Sequence, residues 1–133
     1  MVLSEYLKQA DESARVITEA LIYHPEDAYL WAGRAVLHAR AGRRAEAIQD
    51  VAEARKLSSD PLLIYMVACV YSLTSTQSES DQGDALKALA ESLRQDATLL
   101  TVAVSDPDLA AIRPLPQYSE VLQAARTLAR PVP

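Results

Sequence analysis

The feature that most constrains the fold is residues 28–61, which have the pattern of two amphipathic helices joined by a tight turn. The turn falls at Ala41-Gly42-Arg43, and Gly42 stands where the first helix needs a C-terminal residue able to adopt positive φ. In the second helix the apolar residues recur at spacings of three and four, which places them on one face. Small residues stand where the two helices must approach closely: Ala35, Ala47 and Ala54. The stretch therefore predicts a close-packed helical hairpin.

The pattern of this hairpin recurs on both sides of it. A helix predicted over residues 3–23 matches the second helix of the hairpin 34 residues later. The matching pairs are Ile17 with Val51, Glu19 with Glu53, and Ala20 with Ala54. Beyond the hairpin, Ala68 follows Ala35 by 33 residues, in a helix predicted from Pro61 to Leu73 that is apolar nearly all round. Self-similarity at this period indicates stacked helical repeats.

These residues resemble the tetratricopeptide repeat family. The family pattern is met, in chain order, by Trp31, Ala35, Gly42, Ala47 and Ala54, and its closing Pro corresponds to Pro61, which comes two residues late. One departure is Arg34, where the family usually has Leu, so this helix face is either less buried than usual or covered by the Arg stem. The resemblance implies an all-α array of helical hairpins.

A second resemblance lies in the last third of the chain. The segment DPDLAAIRPLPQY, residues 106–118, is similar to a closing segment of many bacterial tetratricopeptide proteins, often found near kinases or regulators. Asp106 is expected to cap a helix that begins at Pro107, and the last helix is predicted from Pro116 to Ala129. A short apolar helix is predicted before them, over residues 97–104. The resemblance implies that this part shields the exposed edge of the last repeat.

The predicted organisation is a single domain, residues 1–133, with about two and a half repeats and a C-terminal capping helix. Residues 1–25 form a partial opening repeat, 26–60 the central repeat, 61–96 a third repeat and 97–133 the cap. Within the third repeat, residues 74–81 are predicted to form a mobile surface loop because they are polar and longer than a repeat turn. Half of the residues are hydrophobic, with no Phe and three Gly, which favours helices over sheets.

The net charge and the cysteine content limit which partners the protein is expected to bind and in which compartment it is expected to work. The net charge of −5 and the absence of long like-charge runs argue against nucleic acid and against an anionic membrane surface. The apolar run from Leu62 to Leu73 is too short to cross a bilayer, and the charged N-terminal residues do not form a secretory signal. The lone Cys69 excludes an internal disulfide. We therefore expect a cytoplasmic protein.

The residue pattern predicts no catalytic residue, no metal site and no cofactor. His24 and His38 are far apart, and Cys69 has no Cys or His near it in sequence. Cys69 is expected to be a buried structural thiol, and Asp106 and Asp108 to be capping carboxylates rather than an acid–base pair. A basic cluster around the central turn is expected to be solvated: Arg40, Arg43 and Arg44.

The resemblance implies a concave groove lined by the first helix of each repeat, where partners bind. The groove residues carried over are Tyr29, Gly33, Val36, Arg40, Leu62, Tyr65, Met66, Cys69 and Leu73. Ala32 and Val36 occupy places where carboxylate-clamp members of the family have Lys or Asn, so no clamp for a peptide C-terminus is predicted. The groove is expected to be filled by the chain's own helix 116–129, or else by an apolar or amphipathic helix of another protein. In the simplest version that helix packs only on the end of the stack and leaves the groove partly open.

The predicted function is a non-catalytic protein–protein interaction module or scaffold that binds a peptide or helix. One alternative is a self-associating domain, possible as a homodimer, within a larger kinase or regulator. Another is an accessory domain of an enzyme, which would need a cleft with converging polar groups.

Overall fold

The fold is described from a computed structural model that covers residues 3–129, without the side chains of residues 3, 4, 6 and 7. Residues 1, 2 and 130–133, which the predictions assigned to the opening repeat and the cap, lie outside it. Within residues 3–129 there are seven α-helices and no strand, which confirms the all-α class. The helices are α1 Leu3–Tyr23, α2 Ala28–Arg40, α3 Arg44–Leu57, α4 Pro61–Thr74, α5 Asp81–Gln95, α6 Leu100–Ala103 and α7 Pro116–Ala129. None of the described helices has the combined length and apolar character that crossing a membrane requires.

The ends of the central helices follow the local chemistry of the sequence. Asp27 caps α2, because its carboxylate accepts a hydrogen bond of 3.0 Å from the backbone N–H of Tyr29. Gly42, which has φ of 79°, follows the end of α2. The backbone N–H of Arg43 donates a hydrogen bond of 2.8 Å to the carbonyl of His38. Asp60 stands at the N-cap of α4, but its side chain makes no capping bond. It accepts instead from the Tyr29 hydroxyl at 3.2 Å.

Each long helix packs on its neighbours along the chain, and the core lies between them. Helix α2 contacts α1, α3 and α4, and α4 contacts α2, α3 and α5. The three alanines expected at close approaches, Ala35, Ala47 and Ala54, are all fully buried, which confirms that part of the prediction. The main core cluster runs from α2 to α7, and a smaller one joins α2, α3 and α4 at Ala28, Ala32, Ala54 and Leu63.

The polar connection between α4 and α5, predicted as a mobile surface loop over 74–81, is exposed in its middle and buried at its ends. Thr74, Ser75 and Asp81 are buried. The Thr74 hydroxyl donates to the Asp81 carboxylate at 2.7 Å, which ties the end of α4 to the start of α5. In the middle, Gln77 donates to the carbonyl of Gly42 at 2.9 Å. Thr76, Gln77, Glu79 and Ser80 are exposed, as the composition predicted, whereas the buried ends bond to each other and Gln77 bonds to the central turn.

The C-terminal part is less helical than predicted. The expected helix over 97–104 is a 3₁₀ turn, Ala97–Leu99, followed by the four-residue α6. Asp106 caps as predicted, but the helix it starts is a single 3₁₀ turn, Pro107–Leu109. Helix α7 has the predicted bounds and packs against α5, α6 and the turn Ala97–Leu99. The Tyr118 hydroxyl fastens it by donating to the carbonyl of Ala103 at 3.1 Å.

Candidate binding groove

A groove of about 400 Å³ lies between α2 and α4, with α1 at one side and the Asp106–Asp108 segment at one end. Seven of the nine residues predicted for the groove line it: Gly33, Val36, Arg40, Leu62, Tyr65, Met66 and Cys69. They converge because the first helices of successive hairpins pack side by side. No residue of α7 lines this groove, so the expectation that the C-terminal helix fills it is wrong. Since α7 covers α5 instead, the end-of-stack version of that prediction describes it correctly.

Two predicted groove residues lie elsewhere. Tyr29 is directed toward Asp60 and is not among the groove residues. Leu73 is half-buried and packs against the main core cluster. Both sit near helix ends, where residue spacing within a repeat no longer determines which side chain faces the groove.

The sequence analysis missed four residues of the groove: Ile17, Leu37, Asp106 and Asp108. A signal for Ile17 was present, because the sequence analysis matched it with Val51 at the 34-residue offset. The two aspartates were predicted only as caps. Their second role depends on where the closing segment docks, and local sequence carries no information on that.

The closing segment is bonded across the end of the groove by its two aspartates. The Tyr65 hydroxyl donates to Asp106 at 2.7 Å, and the Cys69 thiol lies 3.8 Å from the same carboxylate oxygen. Arg40 donates two bonds, of 3.0 and 2.8 Å, to the carboxylate of Asp108. These contacts join α2 and α4 to the closing segment, so the shape of the groove depends on all three.

Tyr65 and Cys69 both keep their protons at neutral pH. Burial raises the pKa of the Tyr65 hydroxyl well above its usual range, and the hydrogen bond to Asp106 adds to this shift. Burial also raises the pKa of the Cys69 thiol, with the charge of Asp106 as the next cause. A thiol held in this way is a poor nucleophile, as expected for a structural cysteine.

Three potential metal ligands come close together at this end of the groove. Ligand atoms of Cys69, Asp106 and Asp108 lie within 4.8 Å of one another, a grouping that their separation in sequence did not predict. Asp106 already accepts from Tyr65, and Asp108 already binds Arg40. The carboxylates are therefore engaged by side chains of the same chain, and we assign no metal to them.

The arginines around the central turn are not simply solvated, as the sequence analysis expected. Besides the pair formed by Arg40, Arg43 binds Asp11 of α1 at 2.8 Å. Arg44 donates two bonds, of 2.8 and 2.9 Å, to the buried carboxylate of Asp81. Each of these arginines thus joins the turn region to another element. The hydrogen bond to Arg44 is the main reason why the pKa of Asp81 lies below its usual range.

A second polar cluster lies behind the groove, between α2 and α3. Arg34 donates two bonds of 2.8 Å to Asp50, which is 3% exposed, and its guanidinium stacks 5.2 Å from the ring of Trp31. His38 Nδ1 accepts from Arg43 at 3.1 Å, and its Nε2 lies 3.7 Å from Asp50. Arg34, at a position where the sequence resemblance predicted Leu, thus binds a buried carboxylate on the facing helix.

Comparison of the chain with protein-family models, with curated proteins and with solved structures finds no match. The resemblance to the tetratricopeptide repeat family therefore stays a prediction. The functional interpretation depends on the geometry of the groove and its neighbours.

Proposed function

We propose that this chain is a tetratricopeptide-like helical array that binds an amphipathic helix of another protein in the groove between α2 and α4, without catalysing a reaction. The observation that supports it most is the convergence of seven predicted residues on one groove that α7 leaves uncovered. A non-catalytic binding module, a cytoplasmic location and a place in a larger bacterial regulator are all predictions of this proposal.

The character of the groove favours an apolar ligand surface. Its walls carry Val36, Leu37, Leu62 and Met66, and Leu62 is 48% exposed although it is a large apolar residue. Met66 adapts its shape easily, which suits a groove that accepts a side chain from a partner. Burying such side chains under a partner helix gains about 25 cal/mol for each Å² of apolar surface removed from water.

The polar residues of the groove favour binding over chemistry. Tyr65 and Cys69 stay protonated, and Arg40 is held by Asp108. A catalytic site needs a nucleophile or a base with a pKa near the working pH. The titratable groups lining the groove within residues 3–129 are engaged with one another, so their role in the proposal is to hold the closing segment in place.

The proposal is tested with a helical peptide selected from a library on the wild-type chain. We expect Leu62→Glu to weaken binding of the selected peptide by about tenfold or more, because it places a charge in the apolar contact. Ile22→Glu is the matched control: Ile22 is also a large exposed side chain, at 72%, but lies outside the groove. Binding is measured by fluorescence anisotropy, and melting curves check that both variants fold.

Equal affinity of the selected peptide for the Leu62→Glu variant and the wild-type chain would refute the groove assignment. The oligomeric state is measured by sedimentation. If the wild-type chain is a dimer and the Leu62→Glu variant is a monomer, the partner in the groove is a second copy of this chain rather than another protein.

A further inference from the structure

Helix α1 has an uncovered face that matches a covered face of α3. At the offset of 34 residues, Ser13, Val16 and Ala20 of α1 correspond to Ala47, Asp50 and Ala54 of α3. The three α3 residues are at most 3% exposed. Of the α1 residues, Ser13 is exposed, Val16 is 58% exposed and Ala20 is half-buried. Ser13, Val16 and Ala20 are called the opening face below.

The difference in exposure arises from the helix that covers α3. The carboxylate of Asp50 is bound by Arg34 of α2, and Ala54 clusters with Ala28 and Ala32 of the same helix. Helix α1, among the described helices, packs extensively only on α2, which lies on another of its faces. Helix α2 packs against this face of α3, whereas no described helix packs extensively against the corresponding face of α1.

The surface around the opening face has room for a helix. A shallow, open surface on one side of α1 is bordered by Ser13, Arg15, Val16 and Ile17. A hollow of about 160 Å³ continues from Ser13 to Leu37 and Arg40 of α2. A helix placed there would contact both α1 and α2, as α2 itself contacts both α3 and α4.

The residues on this surface indicate the chemistry of the occupant. Val16 stands where α3 has Asp50, so the residue that faces it must be apolar, whereas α2 uses Arg34. Exposed acidic side chains run along the edge of the opening face at intervals of seven residues: Glu5, Glu12 and Glu19. Glu19 is paired with Arg15 at 4.0 Å, while for Glu12 the described side chains show no ion pair. Burial lowers the pKa of His38 of α2, and the corresponding residue of α3, Glu46, is close enough for its charge to oppose that shift in part.

We propose that the opening face binds an amphipathic helix of another protein, with an apolar residue against Val16 and a basic flank along Glu12, and that this helix completes the opening hairpin. This site adjoins the groove of the proposed function, and Ile17, Leu37 and Arg40 border both. A second copy of this chain is disfavoured as the occupant, because α1 pairing with α1 would bring two acidic rows together.

The probe is a peptide of residues 26–41 of this chain with Arg34→Leu, cross-linked on its outer side because short helices are marginal in water. It supplies the helix that covers α3, with the buried Arg replaced by an apolar residue. We expect the domain variant Val16→Glu to bind it about tenfold more weakly than the wild type, and the Ile22→Glu control to bind it unchanged. Compared with the Arg34→Leu peptide, a peptide that keeps Arg34 should bind the wild-type domain more weakly. A peptide with both Arg34→Leu and His38→Lys should bind more tightly, because the added Lys can form an ion pair with Glu12.

Three results would overturn the proposal. The first is equal binding to the wild type and Val16→Glu. The second is loss of binding with Leu62→Glu alone, which would place the peptide in the groove and support only the proposed function. The third is a wild-type dimer that Val16→Glu makes monomeric, which would identify a second copy as the occupant. If the peptide loses affinity for the Val16→Glu variant but not for the Leu62→Glu variant, the opening face is its binding site, and this result does not depend on what the groove binds.

Discussion

At the scale of single residues, the pairing of Arg34 with Asp50 explains how a charged residue stands at a largely buried position of α2. Both side chains are largely removed from water, and two bonds of 2.8 Å join them. A buried pair of this kind contributes little net stability compared with apolar residues, but removing one partner leaves an uncompensated charge.

The variant Arg34→Leu is expected to lower the free energy of unfolding by about 3 kcal/mol, because the Asp50 carboxylate loses its partner while it stays buried. The double variant Arg34→Leu/Asp50→Val should recover most of that loss, since it removes both charges. Urea unfolding of Arg34→Leu, Asp50→Val and the double variant gives the coupling free energy between the two sites. Additive losses in the double variant would contradict this account of the pair.

The surroundings of His38 lower the pKa of its imidazole. Burial lowers its pKa below the usual 6.5, the charges of Arg43 and Arg34 lower it further, and Asp50 and Glu46 partly oppose the shift. In addition, its Nδ1 accepts a hydrogen bond from Arg43, which protonation at that atom would prevent. Folding therefore favours neutral His38.

Since the folded state binds a proton at His38 more weakly than the unfolded chain does, stability should fall as the pH drops below about 6.5. The loss should continue until folded His38 is itself protonated. The variant His38→Gln removes this contribution, so its free energy of unfolding should change less between about pH 7.5 and pH 5 than that of the wild type. Parallel pH profiles of the two proteins, measured by urea unfolding, would show that His38 makes no such contribution.

At the scale of helices, the small residues decide how closely the elements pack. Ala54 is fully buried at the point where α3 meets α2 and α4, in a cluster with Ala28, Ala32 and Leu63. A larger side chain there would push these helices apart. Neighbouring Ala52 is exposed on the same helix.

Ala54→Leu is expected to lower the free energy of unfolding by about 1–3 kcal/mol through overpacking. Ala52→Leu, the matched control, should change it by less than about 0.5 kcal/mol, because that side chain points to solvent. Thermal melts of both variants make the comparison. Equal melting temperatures for Ala54→Leu and Ala52→Leu would mean that the contact at Ala54 tolerates a larger side chain.

At the scale of the whole molecule, polar contacts tie together elements that are distant in sequence. Arg40 reaches Asp108 in the closing segment, and Arg43 reaches Asp11 in α1. The closing segment thus ends the groove while α7 covers α5. The groove between α2 and α4 remains open as a result.

The sequence by itself determined the helices and most of their ends. Period and spacing predicted α2, α3 and α7, Gly42 ended a helix as expected, and Asp106 capped one, because these features depend on residues close in the chain. Only the tertiary structure decided that α7 lies on α5, that Asp106 and Asp108 border the groove, and that Arg34 meets Asp50. Those outcomes depend on which apolar faces meet and which buried charges find partners, and such contacts join residues far apart in sequence.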